Sequence, residues 1–299
     1  MKILLLGANG QVGGELRRSL APLGDIVAAT RGGMIDGLAC EAADFDDPDS
    51  LPGLVERIAP DIVVNAAAYT AVDRAEQERD AAFRANAEGP ARLAQACAER
   101  GALFIHYSTD YVFDGASSRA YREQDPASPL GVYGASKLAG EEAVRTATPE
   151  HLIFRTAWVY GMRGSNFLRT MLRLGAERVE ISVVGDQIGT PTPARFIADL
   201  TAQSISRTLK PGTYNLVTSG QTSWHGFAEA IFTQAVAHEL LGKAPKVIAI
   251  STADYPTPAR RPAYSLLDNA RLSKALGVEF PDWQHGLEQV MGELAGLSH

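Results

Sequence analysis

Ile3-Leu4-Leu5-Leu6-Gly7-Ala8-Asn9-Gly10-Gln11-Val12-Gly13 is the stretch from which the rest of the chain is read. Its four apolar residues run without alternation. A strand with one wet face would alternate, so this one is expected in the middle of a parallel sheet, buried on both sides. Three glycines follow at once and open a predicted helix over 12–23, which carries Glu15, Arg17 and Arg18. Lacking side chains, Gly7, Gly10 and Gly13 let the backbone turn sharply and approach a pyrophosphate seated on the helix N-terminus. A glycine triplet alone is weak evidence in a chain with 28 glycines, and a plain structural turn is the alternative. Its position between a strand and a helix gives it weight.

Outward from that stretch, Asp25–Thr30, Asp61–Ala66, Leu103–Tyr107 and Leu152–Thr156 read as further strands. Helical patterns lie between them at Ser50–Ile58 and Arg79–Arg100, the second interrupted at Gly89-Pro90. Strands alternating with helices imply right-handed crossovers and an α/β, Rossmann-like, doubly wound parallel sheet. The second half is less regular. Gly185–Pro193 reads as a loop, Ala194–Arg207 as a helix, Pro211–Val217 as containing a short strand, and Trp224–Leu241 as a long helix. Three prolines in Tyr255–Pro262 predict an extended or looped segment. Trp224, Phe227, Ile231 and Phe232 are expected to face a core. No linker separates the halves. We expect a dinucleotide-binding domain over 1–150, with later segments returning to it, interleaved with a smaller, mainly substrate-binding domain over 151–299.

The 299 residues are 45% hydrophobic and 21% charged, enough apolar material for a sizeable core. A net charge of −7 argues against a nucleic-acid partner, which calls for a basic face. Two cysteines, Cys40 and Cys97, make neither a disulfide framework nor a four-thiolate zinc site, and fit reduced thiols in a cytoplasmic protein. No apolar run approaches the roughly 18–20 residues that span a bilayer. The N-terminal apolar run stops at Gly7, too soon for a signal peptide. A soluble protein without a membrane partner is expected. His106, His151, His225 and His285 do not fall at metal-ligand spacings.

Tyr133-Gly134-Ala135-Ser136-Lys137 is the second constellation. Helical spacing of i and i+4 puts the phenol and the ammonium on one face. Ser108-Thr109 ends a predicted strand, so a hydroxyl, a phenol and a lysine meet at the carboxyl edge of the sheet, where ligands bind. Reducing a ketone requires a proton as the hydride arrives. A phenol of pKa about 10 is a poor acid at neutral pH, and a neighbouring ammonium is expected to bring it down. Thr109 would hydrogen-bond and polarise the substrate carbonyl. The second strand ends at Thr30-Arg31, without the acidic residue that grips the ribose of NAD. Arg31 suits a 2′-phosphate instead, which favours NADPH and leaves NADH open.

The spacing of Gly7, Gly10 and Gly13 resembles the short-chain dehydrogenase/reductase superfamily, in its extended branch acting on nucleotide sugars. Asn65-Ala66-Ala67-Ala68-Tyr69-Thr70-Ala71-Val72-Asp73-Arg74-Ala75-Glu76 and Tyr107-Ser108-Thr109-Asp110-Tyr111-Val112-Phe113-Asp114-Gly115 are similar to signatures of the dTDP-4-dehydrorhamnose reductases. Arg155-Thr156-Ala157-Trp158-Val159-Tyr160-Gly161, Asn166-Phe167 and Asp186-Gln187-Ile188-Gly189-Thr190-Pro191-Thr192 extend the match, which runs from residue 3 to about residue 270. The related 4,6-dehydratases carry Asp-Glu after the strand-end threonine. Here the pair is Asp110-Tyr111, so the eliminating carboxylate is missing.

The resemblance implies reduction of the carbon-4 ketone of dTDP-4-dehydro-β-L-rhamnose to dTDP-β-L-rhamnose, the last step in making that sugar nucleotide. It implies Tyr133, Lys137 and Thr109 as catalytic residues, with Lys137 also holding the nicotinamide ribose. Around the cofactor it places Gly7, Asn9, Gly10, Gln11, Val12, Gly13, Arg31, Asp44, Phe45, Ala66, Ala67 and Ala68, with Tyr133 and Lys137. Around the dTDP-sugar it places Thr70, Val72, Thr109, Asp110, Tyr111, Trp158, Asn166 and the pair Arg260-Arg261, one of which grips the nucleotide. For Trp158 a core position is the equal alternative. Some members bind Mg2+ at a dimer contact through a glutamate at the position of Glu15, so a magnesium ion and a homodimer enter as expectations. Two other readings stay open: another nucleotide-sugar epimerase or ketoreductase, and a catalytically silent regulatory subunit like that of methionine adenosyltransferase.

Overall fold

The structure, a computed structural model, describes residues 1–296; the last three residues of the expected second domain lie outside the described residues. Seven parallel strands form the central sheet: β1 (Lys2–Leu6), β2 (Asp25–Thr30), β3 (Glu41–Ala42), β4 (Ile62–Asn65), β5 (Leu103–Thr109), β6 (His151–Thr156) and β7 (Gly212–Asn215). Their spatial order is β7-β6-β5-β4-β1-β2-β3. The chain winds one way from β1 through β2 to β3 and the other way from β4 onward. The resulting crevice, beyond the carboxyl ends of β1 and β4, is where a doubly wound sheet takes a ligand.

The unbroken apolar run of β1 is buried on both faces, as its composition requires. Ile3 and Leu5 point into one core, Leu4 and Leu6 into the other. The first core lies under α1 (Gln11–Ser19), through Leu16, and under helices from the second half of the chain, which add Ile197, Leu200, Leu272 and Leu276. The second core lies under α2 (Leu51–Ile58) and α3 (Gly89–Arg100), through Leu54, Val55, Leu93 and Cys97. α4 (Val132–Ala147) completes that layer with Val144.

β6 and β7, and the helix at Ala194–Ser206 that packs on α1, come from beyond residue 150. A third core, with Tyr160, Leu168, Phe227, Phe232, Trp283 and Leu287, belongs to the second half alone. The second half of the chain contributes α5 (Phe167–Glu177), α6 (Ala194–Ser206), α7 (Trp224–Ala237), α8 (Ala270–Leu276) and α9 (Trp283–Gly296), with a parallel strand pair, Glu180–Val184 with Lys246–Ile250. Of these, α6 and α8 face the sheet, and α5, α7 and α9 build the third core.

Three helix boundaries differ from expectation. The helix expected over 12–23 stops at Ser19 and continues as a tight turn at Ala21–Leu23, because Pro22 has no N–H to carry the helix on. The helix expected to reach Leu241 ends at Ala237. Glu239 takes a left-handed backbone, and the N–H groups of Leu240 and Leu241 both donate to the Ala235 carbonyl. Gly89-Pro90 does not break the helical path. A wider, π-helical turn at Arg84–Glu88 precedes it and makes room for the proline ring, which would otherwise press on the carbonyl four residues back.

Candidate active site

A cavity of about 560 Å³ opens at the carboxyl ends of β1 and β4. One end is the glycine-rich turn. Gly7 has φ +72°, and a Cβ there would stand 2.6 Å from the Ala67 nitrogen; a Cβ on Gly13 would stand 2.0 Å from the Gly7 carbonyl oxygen. Only glycine fits either place. The turn therefore brings Gly7, Asn9, Gly10, Gln11 and Val12 to the cavity wall, while Gly13 packs behind them and seats the first turn of α1.

Ala66, Ala67, Ala68 and Thr70 line the same cavity from the loop after β4. That loop is fixed by a residue the sequence reading passed over. Asn86, fully buried in the π-helical turn, accepts from the Tyr69 N–H at 2.9 Å and donates to the Tyr69 carbonyl at 3.0 Å and to Ser136 Oγ at 3.0 Å. It thereby ties the loop to α4. Glu76 does similar work, accepting from the Val132 N–H at 2.8 Å at the start of α4. Neither signal is periodic, and each partner lies fifty or more residues away along α4.

At the rim, Arg31 and Phe45 line the cavity with Asp46. Asp44 stands just outside, and the Arg31 guanidinium lies 3.6 Å from both Asp44 and Asp46. The arginine is mostly exposed, so these contacts hold it weakly and leave it free to meet an anion.

Tyr133 and Lys137 line the opposite wall from the first turns of α4. Thr109 ends β5 and is buried; its Oγ1 donates to Asp110 Oδ1 at 3.0 Å and accepts from the Tyr111 N–H at 3.2 Å. Burial pushes the Tyr133 phenol up to about 12, with hydrogen bonding to Thr109 acting the other way. Burial pulls the Lys137 ammonium down to about 8, opposed by the Glu141 carboxylate. The phenol thus stands above its ordinary value, where a lowering by the neighbouring Lys137 ammonium was expected. Lys137 Nζ donates to the Tyr107 carbonyl at 2.5 Å, and desolvation governs both groups. Burial likewise lifts Asp110, to about 6. The Tyr111 ring meets that of Tyr133 edge-on, with centroids 5.6 Å apart.

Beneath Lys137 on the same helix, Glu141 is fully buried and receives the Arg155 guanidinium at 2.8 and 2.7 Å, and Arg145 at 3.0 Å. Burial pushes this carboxyl up, but the arginines outweigh it and hold it below the ordinary carboxylate range.

The remaining predicted residues divide. Val72 opens a short helix, Val72–Ala75, next to the Thr70 loop. Arg261 is half-buried and pairs with Asp73 at 2.7 Å, on the side of Tyr111, whereas Arg260 is exposed. The structure thus separates two arginines that the sequence left equivalent. Asn166 caps α5: its Oδ1 accepts from the Arg169 N–H at 3.1 Å, and its amide donates at 2.9 Å to both the Gly161 carbonyl and Gln11 Oε1. Its donors are used inside the chain, so it links α5 to the glycine-rich turn where a contact to the dTDP-sugar was expected. Trp158 is half-buried between the third core and a smaller cluster around Val112, Phe113 and Tyr121. Phe227, Ile231 and Phe232 are core residues as expected; Trp224 is half-buried and stacks on Trp158.

Glu15 lies on α1. Arg18 lies 3.6 Å from its carboxylate and also bonds Asp199 at 2.7 Å. Among the described residues no group of three or more His, Cys, Asp or Glu is placed to hold a metal. No helix among them is long and apolar enough to cross a membrane.

A sheet of this winding order, a glycine turn that admits only backbone, and a Tyr–Lys pair across the crevice define the extended short-chain dehydrogenase/reductase class of nicotinamide-dependent enzymes. Within it, the family model described as the RmlD substrate binding domain matches residues 1–295, and the chain belongs to that family. It is 50% identical to the dTDP-4-dehydrorhamnose reductase of Burkholderia thailandensis, covering 96% of this chain and 97% of that one. It is 46% identical to the dTDP-4-dehydrorhamnose reductase of Escherichia coli K12, over 98% of each. Among solved structures, the dTDP-4-dehydrorhamnose reductase of Bacillus anthracis in complex with NADP superposes with a TM-score of 0.88 at 37% identity, covering 98% of this chain and 99% of that one.

Proposed function

We propose that this protein reduces the carbon-4 ketone of dTDP-4-dehydro-β-L-rhamnose to dTDP-β-L-rhamnose with NADPH. One observation carries the reading. Tyr133 and Lys137 share a cavity with the Gly7–Gly13 turn, and Thr109 stands beside the phenol.

The bound dinucleotide supplies the hydride. The chain does the rest. The glycine turn and the N-terminus of α1 would hold the pyrophosphate, with Gln11 and Val12, beside the Ala66–Ala68 loop that lines the same cavity. Arg31 takes the 2′-phosphate by charge-assisted bonds in place of its loose contacts to Asp44 and Asp46, and Phe45 walls the adenosine end. Lys137 stays protonated below about pH 8 and anchors the nicotinamide ribose. Thr109 hydrogen-bonds the ketone oxygen and fixes it beside Tyr133. Because burial keeps the phenol protonated to about pH 12, Tyr133 reaches the reaction with its proton in place and gives it to the nascent alkoxide.

Thr70, Val72, Asp110, Tyr111 and Trp158 form the sugar side, and Arg261, oriented by Asp73, meets the diphosphate. The third core, from the second half of the chain, is the body of the substrate-binding domain. The two thiols, Cys40 and Cys97, are unpaired and suit the cytoplasm.

Purified protein incubated with NADPH and dTDP-4-dehydro-β-L-rhamnose tests the reading. Stoichiometric oxidation of NADPH with dTDP-β-L-rhamnose as product is expected. Conversion of the sugar without net loss of NADPH would identify an epimerase. Cofactor binding without turnover would identify a silent subunit.

A further inference from the structure

Trp158 is one of five non-glycine residues with positive φ among the described residues, at 47°. A bulky side chain rarely takes that backbone, and it persists only where the surroundings impose it. Three contacts do so. The indole stacks on that of Trp224 with centroids 3.6 Å apart and planes 6° apart. Gly189 packs so close that a Cβ there would fall 2.6 Å from Trp158 Cε2 and 2.7 Å from its Nε1. The Trp158 carbonyl accepts from the Thr192 N–H at 3.3 Å. Behind Trp224 stands Phe167, at 4.7 Å, which itself stacks on the fully buried Phe227 at 5.5 Å.

A short antiparallel ladder puts these groups together. Ile188 pairs with Ser223, and Gly189 with Thr222. Ser223 then caps α7 by accepting from the Gly226 N–H at 3.0 Å, so Trp224 emerges as the first residue of a rigid helix. Trp158 itself sits between Thr156 and Val159, both of which line the catalytic cavity, and part of its surface remains open. A core tryptophan has no need of a left-handed backbone braced by a row of rings. A wall that must not yield when a ligand presses on it does.

We propose that Trp224 is a positioning residue that holds Trp158 as a preset wall for the apolar face of the substrate's sugar ring, with Gly189 leaving the space the indole needs. The proposal rests on the sugar-nucleotide reading above. With Trp158 already fixed, substrate does not spend binding free energy ordering a rotamer-rich aromatic side chain.

The test compares wild type, Trp224→Ala, Trp224→Phe and Trp158→Ala, each full-length. Readouts are the circular dichroism of the indole pair, NADPH affinity by fluorescence, and KM and kcat for the keto-sugar nucleotide. Two indoles stacked this closely couple their transitions into a paired positive and negative band, which Trp224→Ala should abolish. The same variant should raise KM for the sugar nucleotide about tenfold while NADPH affinity stays unchanged, the scale expected for losing one aromatic pair. Trp224→Phe should recover most of the KM. In the Trp158→Ala background, Trp224→Ala should add nothing further. Should Trp224→Ala fail to fold, Trp224→Leu keeps apolar volume without a ring and takes its place. An unchanged KM with the paired band lost overturns the proposal. So does a parallel fall of NADPH affinity and kcat, which marks general loosening. If wild type shows the paired band but neither binds nor turns over the sugar nucleotide, the functional reading itself has failed and the proposal falls with it.

Discussion

Lys137 Nζ donates to the main-chain carbonyl of Tyr107 at 2.5 Å, so α4 is pinned to the strand that ends in Thr109. The side chain is almost wholly buried at the cavity wall, and burial brings the ammonium down to about 8.

A pH dependence follows. The protonated form of Lys137 is present below its folded-state pKa and lost above it, while Tyr133 keeps its proton to about 12. The value of kcat/KM for reduction should therefore be flat near neutrality and fall with unit slope above about pH 8. A steady-state pH profile checks this. A limb first appearing near pH 10 would mean that the lysine is better solvated than its burial indicates.

Arg31 is the only predicted 2′-phosphate ligand, and its present partners are two aspartates at 3.6 Å. Replacing it by alanine should raise KM for NADPH by about tenfold to a hundredfold, the value of a charged hydrogen bond, and leave KM for NADH almost unchanged. Equal effects on both cofactors would remove Arg31 from the phosphate site.

Gly13 meets the Gly7 carbonyl so closely that a methyl group would stand 2.0 Å from it. Gly13→Ala must displace α1 from the turn. About 1–3 kcal/mol of stability should be lost by overpacking, together with most of the dinucleotide affinity. Urea denaturation and a cofactor titration measure the two effects separately.

The sheet was readable because burial on both faces writes itself as an uninterrupted apolar run, as at Ile3–Leu6. The glycine turn was readable because close backbone approach excludes every other residue at Gly7. Helix ends were less so: Pro22 ended α1 early, yet Pro90 did not stop the next helical path, since a π-helical turn lay upstream of it. Contacts between distant elements left no periodic trace. Nothing in the spacing of Trp158 and Trp224 announces a stack, and Arg260 and Arg261 differ only because Asp73 reaches one of them. The behaviour of Tyr133 was misjudged for a related reason. Sequence spacing places an ammonium near a phenol but cannot say how far the fold desolvates either.

Glu141 and Arg155 form a buried, two-bond ion pair beneath Lys137. Glu141→Gln leaves the guanidinium without a charged partner and should cost about 3–5 kcal/mol of stability. Chemical denaturation of the variant gives the number. A loss below about 1 kcal/mol would mean that the pair is solvated like a surface bridge.

Hydride delivery to carbon 4 of the sugar, with the proton from Tyr133, is the central claim. NADPH carrying deuterium at the transferring position of the nicotinamide should be incubated with dTDP-4-dehydro-β-L-rhamnose and the product read by mass spectrometry and NMR. The account predicts dTDP-β-L-rhamnose with one deuterium at carbon 4 from wild type, and turnover reduced about a hundredfold to ten-thousandfold in a folded Tyr133→Phe variant. Product without deuterium, or undiminished turnover in Tyr133→Phe, would contradict it.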